Sequence, residues 1–584
     1  MSSDVNAAIA PHSLRKAAAA QAHRRFFDPT VLIWIALAAL LLFLVANPIL
    51  RLVIDSFRTP GTGQLTLANY VAAFARPRYV QAYINALQLG AACAVISTAL
   101  AVPLAWGVSR TNMPARGFTH LCVLAAFIIP PFLGAIGWML LAGPNAGWLN
   151  RVFMAITGAE SGPFDIFTFW GLALVISIYA FPLIYIFTSS ALDLISTEME
   201  EAASILGAGP FRTVRSVTLP LVLPAILGGT TIVFLEAIAL FGTPALIAIP
   251  ARFNVVTLQL AAFFEHPLRI EVASAFAMPL LGITVGLLLL QRLLLARRGH
   301  VAVTGKGGDR RRIDLGGWRW ALFGYSMLVA TISVILPLFV LLQTAFAKAW
   351  GQGLALDNLT LANFHHIFFE QFTVRQSMWN TFVYAFWTAT ACTLFGFAIA
   401  YIVQRKLLPF ASALAFLTLA PFAVPGIVLA ICFYAAYAGP PFSLYGSGLL
   451  IVIAFITRFV PISFTTAASG VRGLNPEMED AVRILGGGRL TALAKVVGPL
   501  LKKTLLGAWI LVFVIATREL STAVFLSGPE TRVMSVLTLD LSEQGRYEIL
   551  AAMGVVLLAV TTAVVATGMK LLGRDFMLRR GSSS

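Results

Sequence analysis

The chain has 584 residues, of which 59% are hydrophobic and 11% charged, with a formal net charge of +16. Soluble domains carry about 25% charged residues, so the composition excludes a soluble globular protein and requires a membrane protein. Because arginines gather in alternate loops between apolar runs, the positive balance reads as cytoplasmic loop charge, and no nucleic-acid partner is expected.

Residues 1–30 are polar and mixed, and the apolar run that follows is too long for the core of a secretory signal. They are expected to form a cytoplasmic tail. A spanning helix needs ~20 mostly apolar residues. Twelve segments qualify, at 31–54, 81–108, 118–142, 168–190, 218–242, 270–295, 319–347, 377–404, 410–437, 447–470, 499–526 and 546–572. They are numbered spans 1 to 12 below. Arg24 and Arg25, Arg110 and Arg116, Arg297 and Arg298, Arg310 to Arg312, Arg405 and Lys406, and Arg574, Arg579 and Arg580 all fall on one side of this threading. The opposite loops mix signs, as in Glu265, Arg269 and Glu271, or Glu530, Arg532, Asp540 and Glu543. Both termini are therefore expected in the cytoplasm. Cys93, Cys122, Cys392 and Cys432 fall inside spans without metal-site spacing, which implies small packing residues rather than a disulfide frame or a zinc site.

The chain repeats itself. "LTLANY" (65–70) recurs as "LTLANF" (359–364), Asn85 as Asn380, Arg110 as Arg405, Pro130 as Pro425 and Pro182 as Pro461. The offset is about 295 before span 3 and 279 after it, which places some 16 extra residues in the loop 143–167 of the first half. Six spans per half is an even number, so the two repeats share one orientation, as in parallel repeats with a solute path between them. The predicted organisation is a tail (1–30), a first core (31–295), a flexible cytoplasmic linker (296–318), a second core (319–572) and a second tail (573–584).

Between spans 4 and 5 of the first half lies "EMEEAASILGAG" (198–209), and at the matching place in the second half lies "EMEDAVRILGGG" (477–488). Thr197 with Glu200 has capping-box spacing. In the second copy Asn475 caps and Pro476 takes the first helical position. The acidic first turns suit a helix N-terminus and the glycines a helix end. Met199, Ala202, Ala203 and Leu206 share one face, as do Met478, Ala481, Val482 and Leu485. A helix of about nine residues is marginal in water, so it needs a surface to lie on. That surface is either lipid headgroups or a groove in a protein.

Glu201-Ala202-Ala203, Gly207 and Leu219-Pro220 resemble the signature loop of binding-protein-dependent ABC importer permeases. Asp480-Ala481-Val482, Gly486 and Gly498-Pro499 resemble it with three departures, Asp for Glu, Val for Ala and Gly for Leu. The resemblance covers nearly the whole chain. It implies an all-α membrane protein built from two pseudo-symmetric six-helix importer cores of type I fused in one polypeptide. It also implies coupling helices that carry Glu200, Glu201, Ala202, Ala203, Gly207, Glu479, Asp480, Ala481 and Gly486 and dock on two copies of an ABC ATPase. ATP and magnesium would be bound by those partners, with no cofactor in this chain. A soluble substrate-binding protein would deliver the solute to the outer side of a bacterial inner membrane. The segments 234–247 and 517–526 look most like the ferric-iron permease group. Ferric iron is thus the expected cargo, with an organophosphate or phosphonate, thiamine or a polyamine as alternatives.

The nearest approach to a nucleotide-binding loop, "GHVAVTGKG" (299–307), has one residue too many and lacks Ser or Thr after Lys306. His365-His366 makes a poor chelate, since adjacent residues on a helix face different ways, and no cluster of carboxylates and tyrosines offers an iron site. Charges inside spans face interiors or cavities, or snorkel to the headgroups. Glu236 in span 5 and Arg518 and Glu519 in span 11 are the candidates for a solute path. A secondary transporter with parallel repeats is the competing class. It would leave the paired acidic loop helices unexplained.

Overall fold

The computed structural model describes residues 29–194, 197–264, 268–296 and 313–572. The tails and most of the linker, including the near-miss loop at 299–307, lie outside these residues. Regular structure among them is helical, with three isolated β-bridges. Among the described residues ten helices are long and apolar enough to cross a membrane: Leu32–Ser56, Pro77–Arg110, Phe169–Asp193, Phe211–Ala239, Ile270–Leu293, Trp318–Ala345, Phe372–Gln404, Gly448–Arg472, Arg489–Thr517 and Tyr547–Leu572.

Spans 3 and 9, expected as single helices, are each broken. Arg116–Ile128 meets Pro131–Ala142 at 100°, and Ala411–Ala423 meets Gly426–Tyr437 at 113°. The cause is proline. A residue before proline is pushed out of the helical region, and Ile129 and Val424 have ψ of 122° and 115°. In the first half two prolines adjoin at the break. Pro130 and Pro131 both lack an N–H, so the carbonyls of Ala126 and Phe127 lose their donors four residues on. Spans 5 and 11 also depart from expectation. They start at Phe211 and Arg489 and stop at Ala239 and Thr517, ahead of the short helices Gly242–Ile247 and Ala523–Leu526. Arg518 and Glu519 therefore sit in a break and not on a helix.

Four wide, π-helical turns recur in matched pairs: Leu42–Ala46 with Thr331–Ile335, and Val214–Thr218 with Leu493–Val497. Each is followed within two residues by a proline: Pro48, Pro337, Pro220 or Pro499. A proline ring clashes with the carbonyl four residues back, and one extra residue in the turn moves that carbonyl aside without ending the helix. This is how spans 5 and 11 run on through Pro220 and Pro499 near their first turns.

The first helix of each half packs on the other half. Trp34, Ala38, Leu41 and Val45 form a core with Ile399, Tyr401, Phe464 and Ala467 of spans 8 and 10. Conversely, span 7 lies on span 3. Thr119 Oγ1 and Ser326 Oγ are 3.2 Å apart, and a Cβ on Gly137 would meet Pro337 at 3.1 Å. The fused halves are thus interlocked in space. The sixteen extra residues fall where expected, in 143–168 against 438–447. There the helix Trp148–Thr157 is pinned by buried Asn150, which donates to the carbonyls of Gly143 and Phe164.

The end of the linker is ordered, contrary to the flexible segment expected. Ile313 pairs with the turn after span 2: its N–H donates to the Arg110 carbonyl at 2.9 Å, and Asn112 N–H donates to its carbonyl at 3.2 Å. The Gly316 N–H, with the Asn112 amide, holds the Asp314 carboxyl below the usual carboxylate range.

Candidate functional site

Two short helices, Thr197–Ile205 and Glu477–Ile484, stand where the repeated loop was expected to be helical. The second is capped by Asn475, whose Oδ1 accepts from the Glu477 N–H at 3.1 Å. The side chains of Thr197 and Glu201 lie outside the described residues. Both helices end alike. Gly207 and Gly486 have φ of +82° and +86°, the left-handed region in which a Cβ is costly. The next N–H closes the end, from Ala208 to the Ala203 carbonyl and from Gly487 to the Val482 carbonyl, each at 2.9 Å. No atom lies within 4 Å of a Cβ built at either glycine. Conformation rather than crowding thus explains the residue.

Glu200 and Glu479 turn inward. Arg110, at the end of span 2, reaches Glu200 at 3.5 Å and the Leu192 carbonyl at 2.6 Å, and Thr218 donates to Glu200 at 2.7 Å. Arg405, at the end of span 8, reaches Glu479 at 2.7 and 2.8 Å, and the Tyr401 hydroxyl donates to it at 2.7 Å. Buried charges persist when paired and hydrogen-bonded. These two pairs rivet each loop helix to the span beside it. Their role inside the chain was not legible, although both arginines stand out at span ends. Ala202, Ala481 and Asp480 are exposed, and Ala203 is half-buried. So are the apolar knobs, matched residue for residue: Ile205 and Leu206 are 85% and 88% exposed, and Ile484 and Leu485 are 85% and 87% exposed. The shared apolar faces anticipated Leu206 and Leu485 but not the two isoleucines.

Valine at Gly207 or Gly486 is expected to insert and fold but to strain the helix end by ~1–2 kcal/mol. That corresponds to about tenfold weaker docking of a partner, and transport should fall with it. Co-purification with the ATPase and uptake by the two variants check this. Parental values in both would remove the docking role.

A second constellation lies deep between the halves. Arg518 donates to the Phe127 carbonyl of the first half and lies over the Phe127 ring, 4.8 Å from its centroid. Glu519 is buried, paired with Arg458 at 3.2 Å, and accepts from the Thr522 N–H and hydroxyl at 3.0 and 3.1 Å. Glu236, half-buried on span 5, faces Arg518 and Arg458 electrostatically, without a hydrogen bond among the described residues. The three sequence candidates therefore converge, and Arg458 joins them. Its signal in the sequence is a lone charge in span 10. Tyr179 occupies the matching place in the first half.

On the face opposite the loop helices, His366 and His365 both turn to one carboxylate, Glu370, at 2.8 and 2.9 Å, and hold it below the usual carboxylate range. They are bound to that residue rather than splayed. Among the described residues no three His, Cys, Asp or Glu side chains converge as metal ligands.

Residues 90–300 match the family described as binding-protein-dependent transport system inner membrane component. The ferric transport system permease protein of Actinobacillus pleuropneumoniae is 27% identical over 538 residues, 91% of this chain and 76% of that one. A putative ferric transport system permease protein of Haemophilus influenzae is 26% identical, covering 85% and 78%. A putative 2-aminoethylphosphonate transport system permease protein of Salmonella choleraesuis is 27% identical over 46% of this chain and 93% of its own. A solved bacterial ABC transporter for alginate import aligns with 49% of this chain and 99% of its own, at 16% identity and a TM-score of 0.40. Twelve apolar segments in two matched sets of six, two loop helices with the signature pattern and a family match over residues 90–300 mark this chain as an ABC importer permease with two cores in one polypeptide.

Proposed function

We propose that this permease carries ferric iron across a bacterial inner membrane. Supporting this is the similarity along both cores, at 91% and 85% of the chain, to double-length proteins named as ferric transport permeases. The paired loop helices are the docking points for an ATPase in the cytoplasm, on the side of both termini. The binding protein engages the opposite face. ATP and magnesium belong to the partner. Glu201 belongs to the first of these helices, and Ala202, Ala203, Asp480 and Ala481 lie on or beside the surface presented to the partner. Because the exposed knobs match residue for residue, the partner offers two equal grooves, so one copy of this chain works with two copies of one ATPase subunit. Glu236, Arg518 and Glu519, with Arg458, line the path between the halves. A phosphonate is the second reading, favoured by two guanidinium groups at that path and by a relative named for 2-aminoethylphosphonate transport.

The test is uptake of radiolabelled iron by cells that express the complete importer, with native mass of the purified complex. Iron-dependent uptake and a mass of one permease to two ATPase subunits are expected. Uptake of phosphonate without iron would replace the cargo, and two copies of this chain per ATPase pair would overturn the assembly.

A further inference from the structure

Four charged side chains meet between the halves, and their hydrogen-bonding capacity is not used up. Arg458 spends its Nε on Glu519, while its two terminal nitrogens find no acceptor among the described residues. Arg518 spends one terminal nitrogen on the Phe127 carbonyl. A guanidinium has five N–H donors, so several remain. Glu236 is an acceptor without a donor, in electrostatic reach of both arginines. The Arg458 side chain keeps 24% of its surface accessible and Glu236 is half-buried, so these open groups can meet a species that enters between the halves. Apolar contacts join the halves beside these charges. Phe525 meets Phe241 edge-on and Phe264 at a tilt, with centroids 5.7 and 4.9 Å away, and Leu520 sits where a Cβ on Gly242 would fall, at 2.5 Å. The region is also crowded at Gly426, where a Cβ would strike an Arg458 nitrogen at 2.3 Å. Backbone thus lies close against the guanidinium and fixes its position.

The charges decide what can bind. Two arginines and two glutamates sum to zero, and Glu519 is already committed to Arg458 and Thr522. What remains is free guanidinium N–H groups beside a free carboxylate. A bare trivalent cation would meet two positive charges. A simple anion would meet Glu236. We infer that the seam of Glu236, Arg458 and Arg518 is a solute subsite for a charge-compensated species, one that presents anionic oxygens to the guanidinium groups and a cationic centre to Glu236. A ferric ion accompanied by an oxyanion has this chemistry, and so does a zwitterion with an amine and a phosphonate. The inference rests on the import reading above and narrows it: iron passes this point with its oxyanion.

The test uses the complete importer in proteoliposomes, with ferric phosphate and 2-aminoethylphosphonate as alternative probes and orthophosphate alone as competitor. The parent is expected to take up one of the two probes, which identifies the source of the chemistry, and to ignore orthophosphate. Glu236→Gln leaves the seam net positive. It should lower that uptake at least about tenfold and turn orthophosphate into an inhibitor. The double variant Arg458→Gln with Glu519→Gln keeps the net charge and removes donors. It should lower uptake with no gain of inhibition. Glu236→Gln with parental uptake, or with lost uptake and no sensitivity to orthophosphate, overturns the subsite. If the parent takes up neither probe while the binding protein still stimulates ATP hydrolysis, the cargo reading itself fails and the subsite fails with it.

Discussion

Glu479→Ala is expected to uncouple the permease from its ATPase. The carboxylate takes two contacts from Arg405 and one from Tyr401, all within 2.8 Å, in a largely buried setting. Breaking a buried pair by removing one partner costs ~3–5 kcal/mol, because the remaining charge stays buried. A helix of eight residues has little stability of its own, so the loss falls on its attachment to span 8. Glu479→Gln keeps an acceptor for Tyr401 and should be milder. The matching Glu200→Ala should also be milder, since Arg110 sits 3.5 Å away and keeps the Leu192 carbonyl as a partner. The measurement is ATP hydrolysis and uptake in the same proteoliposomes. Hydrolysis that persists while uptake falls at least about tenfold fits a loosened coupling helix. Equal loss for Glu200→Ala and Glu479→Ala would show that the finer geometry of the two rivets is irrelevant.

Arg518→Ala is expected to shift the balance between conformations of the two halves. In this structure Arg518 supplies a donor to a carbonyl that lost its own because Pro131 has no N–H. An unsatisfied buried carbonyl costs ~1–3 kcal/mol, and a desolvated cation–π contact adds up to ~2 kcal/mol. A loss of about 2.7 kcal/mol would change the ratio of two states about a hundredfold. The contact joins span 11 of one half to span 3 of the other, so the state that keeps them together is the one that suffers. Arg518→Lys should restore part of the effect, since an ammonium can reach the carbonyl but cannot lie flat on the ring. Spin labels at exposed Glu160 and Asp357, one in each half, report the change as a distance distribution. An unaltered distribution together with parental uptake would leave Arg518 without a latch role. The second half carries a single proline at its break, and Val424 N–H fills the Pro421 carbonyl at 3.1 Å. No arginine is needed there, and the position that matches Arg518 is Ala239.

Much of this was legible in the sequence because it depends on local pattern. Twelve apolar runs, the order of matched motifs, the length of the inserted loop and the two glycine-ended helices follow from hydropathy, spacing and backbone preference, which neighbours in space alter little. The angles of the two broken spans were not legible. Proline marks where a helix must yield, but packing sets whether it kinks or turns by about 100°. The partners of Glu200, Glu479 and Arg518 were hidden for the same reason. An ion pair between residues 90 apart, or between an arginine and a carbonyl 391 apart, depends on where helices land. So does the crossing of spans 1 and 7 onto the opposite halves, since an apolar helix face does not specify which apolar face it will cover. The sequence alone determined that this chain is two importer cores with paired, glycine-ended loop helices. The tertiary structure decided which charges hold those helices in place, and which meet between the halves with donors left open.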